Sequence, residues 1–354
     1  MEQIGTRWGR FSTRIFRGDD GACGLAIWHG SITGSESVLG RVHSSCFTSE
    51  GLGAVDCDCA EQLDLAFHAI AVRGSGIVFY LLQEGRGAGL SSKARDRMVV
   101  QQSGGAIDTF DAYRRFGLAP DPRRYELVAE MCAELDIHSL DLLTNNPGKI
   151  QGLKAARVPV RPIRMAGTPS RYNADYLRAK VRHGHSLDPP RMDVAEPSKD
   201  LDRCDPGIGR FGRFLRVASY NAPILVDREI AWFRATAYSH DSDGHERLIL
   251  SHCANSSAVP VLRVFHDRVF ARVAKSARPS REYSDAMQRI VIRGAGSILA
   301  IPDDGAWLSS TRPPAPSEDA TLLQSHAEAL TNLTNIGGPR RCAGPDFAQL
   351  CRVL

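Results

Sequence analysis

The sequence predicts an α/β fold, a layered α/β/α domain around a mixed sheet, followed by a second, decayed domain of similar fold. Three observations predict it: apolar patterning that alternates between helical and extended periods, a polar proline-rich break near the middle, and a second half that repeats stretches of the first. The length agrees, since 354 residues at roughly 150 per domain correspond to about two domains.

Along the chain, residues 60–73 (AEQLDLAFHAIAVR) place Leu63, Ala66, Phe67 and Ile70 on one helical face, and residues 76–82 (GIVFYLL) are a short apolar run bounded by glycine and polar residues. A helix followed by a buried strand is expected. Asp121 and Pro122 read as an N-cap and first-turn pair opening a helix through Leu127, Val128, Met131 and Leu135, with a strand at 139–143. Between Leu187 and Gly207, Pro189, Pro190, Pro197 and Pro206 sit among Asp, Glu, Lys and Ser with almost nothing apolar, as in an interdomain linker. The expected domains are 1–188 and 208–354, joined by 189–207.

A shift of 222 positions places Phe11 on Phe233, Leu25 on Arg247, Ala26 on Leu248, Ile27 on Ile249 and Arg41-Val42 on Arg263-Val264. A shift of 220 places residues 70–76 (IAVRGSG) on 290–296 (IVIRGAG) and Gly85 on Gly305, and Leu143-Thr144-Asn145 recurs at Leu333-Thr334-Asn335 after a large deletion. Near-constant register over two blocks favours a duplication over a shared RGxG turn.

Composition narrows the class. Apolar residues at 43% and charged residues at 24% are globular values. A net charge of +4 is too small to argue for a nucleic-acid partner. No run reaches the roughly eighteen apolar residues of a membrane span, and residues 1–16 lack a signal-like apolar core. A cytoplasmic protein with no membrane partner is expected. Nine cysteines, an odd number without an export signal, argue against a disulfide framework and leave metal binding or burial.

Three segments carry chemistry. Cys46, Cys57 and Cys59 have C-x10-C-x-C spacing; on an extended segment Cys57 and Cys59 face the same way, and three ligands leave the fourth position of tetrahedral zinc open for hydrolysis. Three buried thiols are the alternative, against which the polar neighbours Ser44, Ser45, Asp56 and Asp58 weigh. The loop Gln83-Glu84-Gly85-Arg86-Gly87-Ala88-Gly89 follows the apolar run; it offers backbone amides, a carboxylate and a guanidinium, or is a plain turn. Residues 142–149 (LLTNNPGK) close the other strand; Thr144 and Lys149 suit a phosphate, and an ordinary Asn-Asn-Pro helix cap explains the segment equally.

Together these segments resemble the GTP cyclohydrolase II family. Arg41-Val42-His43-Ser44, Cys57-Asp58-Cys59, Glu61-Gln62-Leu63, Gln83-Glu84-Gly85-Arg86, residues 142–147 with Lys149, and Tyr176-Leu177 with Lys180 and Gly184-His185 follow the family's order over about residues 1–188. The resemblance implies catalytic Zn²⁺ on Cys46, Cys57 and Cys59. It implies GTP contacts at Arg41, Val42, His43, Ser44, Ser45, Gln62, Glu84, Gly85, Arg86, Thr109, Thr144 and Lys149, with Mg²⁺ helping to hold the phosphates. Asp121 falls on the family's general base and Arg123 on its arginine nucleophile. The implied reaction opens the guanine imidazole ring at C8, releases pyrophosphate and formate, and leaves a diaminopyrimidinone ribosyl phosphate for riboflavin synthesis or a specialised pathway. Residue chemistry keeps two roles open at each catalytic position: Asp121 is also a good helix cap, and Arg123 could equally clamp phosphate.

The chain departs from the family pattern in three places. Ser45 replaces a glutamate, Arg97 replaces a tyrosine on the helix after the glycine loop, and an insertion surrounds Gly104-Gly105. The tyrosine is associated with completing deformylation, which makes Arg97 a candidate specificity switch and opens a second reading in which the formyl group is retained. Ser45 is compatible with a related purine nucleotide as substrate. In the repeat register Cys46 falls on Arg268, Cys57 on Ala277, Cys59 on Pro279 and Arg86 on Ala306, so the second half is expected to be non-catalytic and to act as the other member of an intramolecular pseudo-dimer, or within a homodimer. A rival from another class, a GTP-binding sensor or scaffold, has no need of the intact Cys46, Cys57, Cys59, Asp121 and Arg123.

Overall fold

A computed structural model describes residues 2–34, 36–197, 199–205, 209–211, 213–241, 244–254, 261–267, 269–274 and 279–302. Arg268, Ala277, Gly305, Ala306, Leu333 to Asn335, Cys342 and Cys351 lie outside the described residues.

The first half contains β1 (Glu2–Thr6), β2 (Gly9–Arg17), β3 (Cys23–His29), β4 (Val38–Ser44), α1 (Phe47–Glu50), α2 (Cys59–Arg73), β5 (Gly76–Leu81), α3 (Gly89–Gln102), α4 (Thr109–Arg115), α5 (Glu126–Glu134), β6 (Leu140–Leu143), α6 (Pro147–Ala155), β7 (Val160–Ile163) and α7 (Ala174–Arg182). Its seven-stranded mixed sheet has the order β1-β2-β3-β5-β4-β6-β7. Leu63, Ala66, Phe67 and Ile70 of α2 pack with Leu25, Ile27, Val78 and Tyr80 on one face. Leu127, Val128 and Met131 of α5 and Leu153 of α6 pack with Ala26, Ile77, Phe79 and Leu81 on the other. Burial of β5 on both faces explains its uninterrupted apolar run. Gly74 ends α2 at φ 81°, its amide bonding the carbonyls of Ile70 and Ala71.

Two local expectations are corrected. Helix α5 starts at Glu126 with Tyr125 at its N-cap, because the Asp121 carboxylate is taken by the Arg123 guanidinium and caps nothing. The 189–207 stretch is more than a solvated spacer: Lys199–Cys204 forms a 3-10 turn, and Ala195, Leu201 and Cys204 are buried. The turn packs along the second sheet, and Cys204 forms a disulfide with Cys253, Cα atoms 5.6 Å apart. The odd cysteine count gave no hint of that pair, because the two come together only where the turn packs against β11.

The second half contains β8 (Arg210–Phe211), β9 (Phe214–Val226), β10 (Glu229–His240), β11 (Glu246–Cys253), β12 (Val261–His266), α8 (Val269–Ala274), α9 (Arg281–Arg293) and β13 (Ala295–Ile301). Its sheet runs β8-β9-β10-β11-β13-β12. The run β9-β10-β11-β13-β12 has the same neighbours and the same antiparallel and parallel senses as β1-β2-β3-β5-β4. Helix α9 precedes β13 as α2 precedes β5, and ends on Gly294 at φ 74°.

One expected equivalence slips by a residue. The pairs Ser12↔Trp28 and Arg234↔Ser251 set Trp28 on Ser251, and hence Leu25 on Leu248 and Ile27 on Leu250. A one-residue slip exchanges the faces of a strand, and Leu248 and Leu250 share a core with Met287 and Ile290 of α9, as Leu25 and Ile27 do with α2. Ile249 points to the opposite core.

The halves meet through α3. Leu90 and Ala94 share a core with Tyr220, Ala222, Phe233 and Ala235, and the amides of Leu90 and Ser91 each donate to the Glu246 carboxylate at 2.6 Å. Among the described residues, no helix is long and apolar enough to cross a membrane.

Candidate active site

Strand β4 delivers Cys46 to the start of α1, and a bend, not the extended segment expected, delivers Cys57 and Cys59 to the start of α2. The three sulfurs lie within 4.8 Å of one another, with Cys46 and Cys57 at 3.8 Å. Ligands about 2.3 Å from a tetrahedral zinc are separated by about 3.8 Å, so the donors are spaced to share one such ion. The thiols share their protons unequally: hydrogen bonds with Cys46 and Cys59 hold the Cys57 thiol well below its usual range, and those with Cys46 and Cys57 push the Cys59 thiol well above it. The Lys93 ammonium lies 3.1 Å from Cys46 Sγ and 2.9 Å from Glu84 Oε1, linking the thiols to the glycine loop.

The cleft running from these sulfurs is basic at its other end, lined by Arg41, Arg86, Arg123, Lys149 and Lys180, with Thr144, Asn145, Asn146 and Tyr176 between them. Ser44, Cys59, Arg86, Arg123 and Tyr176 border both ends. Arg41 donates to Leu143 O and Gln62 Oε1, at 2.9 and 2.5 Å, and burial lowers its pKa to about 10. Lys149 donates to Val42 O at 2.7 Å; burial, then the neighbouring Arg41 and Arg123 charges, push it well below the ordinary lysine range. Asp58, between two cysteines, accepts from Gln62 and Lys180, both at 2.5 Å. Arg41 Nε, Ser44 Oγ and Asn146 Nδ2 are buried and have no hydrogen-bond partner in the described structure, an arrangement proteins rarely leave without a ligand.

The glycine loop is a strained turn. Arg86 sits at φ 57° between Gly85 at 54° and Gly87 at 88°, which lays its guanidinium 3.9 Å from the Phe110 ring centroid and within 3.1 Å of Thr109 Oγ1. Thr109 in turn donates to Asp96 at 2.7 Å. The Asn-Asn-Pro reading is correct as a cap, with Asn146 Oδ1 accepting from Gly148 N at 2.8 Å, and the same segment lines the cleft.

Asp121 and Arg123 form a two-pronged ion pair, with Nε to Oδ1 at 2.6 Å. Although burial opposes it, this pairing lowers the Asp121 pKa to about 2. Burial alone would lower the Arg123 pKa, yet Tyr125 and Asp121 raise it above the ordinary arginine range. Arg97, at the departed tyrosine position, is buried with Nε 3.1 Å from Asp56 Oδ2 and its guanidinium 5.0 Å from the Tyr176 ring centroid. Ser45 is buried beside Cys46.

The Val42 side chain lies in the core, and its carbonyl reaches the site through Lys149. Residues with no assigned role also belong to the cleft, namely Lys93, Asp96, Phe110, Tyr113, Tyr176, Lys180 and His185. Tyr176, Lys180 and His185 belong to the closing motif and were legible as a pattern; Phe110 and Asp96 had no sequence signal.

The profile of the GTP cyclohydrolase II family matches residues 1–163. The GTP cyclohydrolase-2 of Shewanella amazonensis is 38% identical over 188 residues, which are 52% of this chain and 90% of that protein. That of Aeromonas hydrophila is 38% identical over 186 residues, 51% and 90% of the two chains. The chain belongs to the GTP cyclohydrolase II family. The riboflavin biosynthesis protein RibBA of Endomicrobium trichonymphae is also similar, 39% identical over 165 residues, 46% of this chain and 40% of that one. Family membership makes the chain a hydrolase, and the cleft described above lies within the matched half.

Proposed function

We propose that this enzyme opens the guanine imidazole ring of GTP at C8 by hydrolysis, releasing pyrophosphate and formate and leaving a diaminopyrimidinone ribosyl phosphate in the cytoplasm for riboflavin synthesis. The observation that carries the reading is the pairing of three converged thiols with a basic cleft in which buried donors of Arg41, Ser44 and Asn146 lack partners. Zn²⁺ held by Cys46, Cys57 and Cys59 would supply Lewis acidity and an activated water for hydrolysis. Lys93 bridges Cys46 and Glu84, and Arg86, Arg123, Lys149 and Lys180 receive the triphosphate, with Mg²⁺ sharing its charge. Arg123 acts as a phosphate clamp, because a guanidinium whose pKa is raised is a poor nucleophile. Once Arg123 turns to phosphate, Asp121 loses the partner that holds its pKa near 2 and becomes a useful base. Incubating purified protein with GTP and measuring formate, pyrophosphate and the ultraviolet change tests the reading; bound zinc without turnover across purine nucleotides supports a sensor instead.

The buried Arg97–Asp56 pair favours a second reading. It fills the departed tyrosine position with charge, and in this reading the ring opens while the formyl group stays on the product, as specialised metabolism would use. We also propose that 208–354 is a non-catalytic copy of the 1–188 fold, joined by 189–207 and packed as a pseudo-dimer. The shared strand order and senses and the matching α2 and α9 ends support this, and Pro279 at the position of Cys59 removes a ligand.

A further inference from the structure

We propose that Arg272 is a positioning residue that the second half contributes to the active site of the first: its guanidinium holds Glu50, and Glu50 holds Cys46 and His43. Glu50 is fully buried and accepts from Cys46 N at 2.8 Å, His43 Nε2 at 2.9 Å and Tyr80 Oη at 2.6 Å. Two of these bonds fix the segment that carries one thiol and one wall of the cleft. Burial pushes the His43 pKa down, against the pull of Glu50. The cation comes from α8. Arg272 Nε lies 3.6 Å from Glu50 Oε2, a charge contact without a hydrogen bond, and its NH1 bonds Asp267. The side chains of Arg272 and Glu50 are 2% and 0% exposed, and the guanidinium carbon is 6.0 and 5.8 Å from the Phe47 and Tyr80 ring centroids.

A buried carboxylate that loses its cation is left with an uncompensated charge and is drawn toward water, which loosens the groups it accepts from. The second half, whose described residues hold no cluster like the thiol site, thereby sets the geometry of the first. The metal consequence rests on the zinc reading above; the ordering of residues 43–50 does not.

The test uses the full chain as wild type, Arg272→Met, Arg272→Lys and Tyr283→Phe. The last removes a different buried bond between the halves, from Tyr283 Oη to Leu52 O at 3.1 Å, without touching Glu50. Zinc loss to a chelator is timed, and hydrogen exchange of the 43–52 peptide is followed in metal-stripped protein. Arg272→Met should lose zinc at least tenfold faster and exchange faster across 43–52, Arg272→Lys should fall between, and Tyr283→Phe should match wild type. Unchanged exchange in Arg272→Met, or equal opening in Tyr283→Phe, overturns the proposal. If Arg272→Met does not fold, Arg272→Met with Glu50→Gln must fold, and its failure likewise overturns it. If wild type holds no zinc, the metal reading fails and exchange alone decides.

Discussion

Arg97 and Asp56 form a buried ion pair, Nε to Oδ2 at 3.1 Å, on the wall of the cleft beside Cys57. Arg97 stands at the place of a tyrosine in the resemblance, and the formyl-retaining reading proposed above is tested there. The wild-type enzyme should release one formate per pyrophosphate from GTP. If mass spectrometry instead shows a formylated product, the second reading stands, and Arg97→Tyr should then restore formate release. That variant also strands the Asp56 carboxylate, at a cost of about 3–5 kcal/mol, which adding Asp56→Ser should largely recover in chemical denaturation.

Asp121→Asn should lower kcat/KM for GTP by about 100-fold or more, within the range of a lost general base, with little change in zinc content. The same variant has a stability readout. Asp121 has its pKa lowered from 3.8 to about 2 on folding, so it stabilises the native state above pH 4, and this is lost as the pH falls from 4 toward 2. Denaturation midpoints of wild type and Asp121→Asn should therefore converge over that window; a constant difference contradicts the pairing.

Metal removal should abolish turnover. Wild type should carry one zinc per chain, Cys46→Ala, Cys57→Ala and Cys59→Ala should each lose it, and Cys253→Ala should keep it. Zinc retained in all three thiol variants would place the ion elsewhere.

Glu246→Ala should destabilise the protein by about 1–2 kcal/mol, since Leu90 N and Ser91 N at the start of α3 lose a charged acceptor. Because α3 also carries Lys93 and Arg97, KM for GTP should rise in parallel, measurable by steady-state kinetics.

Much of this was legible because it was local. The α2 face, the β5 run and the Gly74 cap follow from period and turn chemistry, and the thiols announced themselves by spacing. Asp121 misled because a cap and an ion pair look alike in sequence: Asp before Pro is a fine N-cap until Arg123 two residues on takes its oxygens. The Ile27 equivalence misled because Ile249 and Leu250 are equally apolar, and only ladder register says which faces α9.

The sequence by itself determined the family, the three thiols and the repeating α/β pattern, since each depends on residue type at short spacing. Tertiary structure decided what depends on groups far apart in the chain: the Cys204–Cys253 pair, the Glu246 carboxylate on α3, and the Arg272 charge beside Glu50. The disulfide arises where the 199–204 turn packs on β11; the two charge contacts arise from how the halves dock, and burial gives them their strength, because a charge removed from water needs its partner within a few ångströms however distant that partner is in sequence.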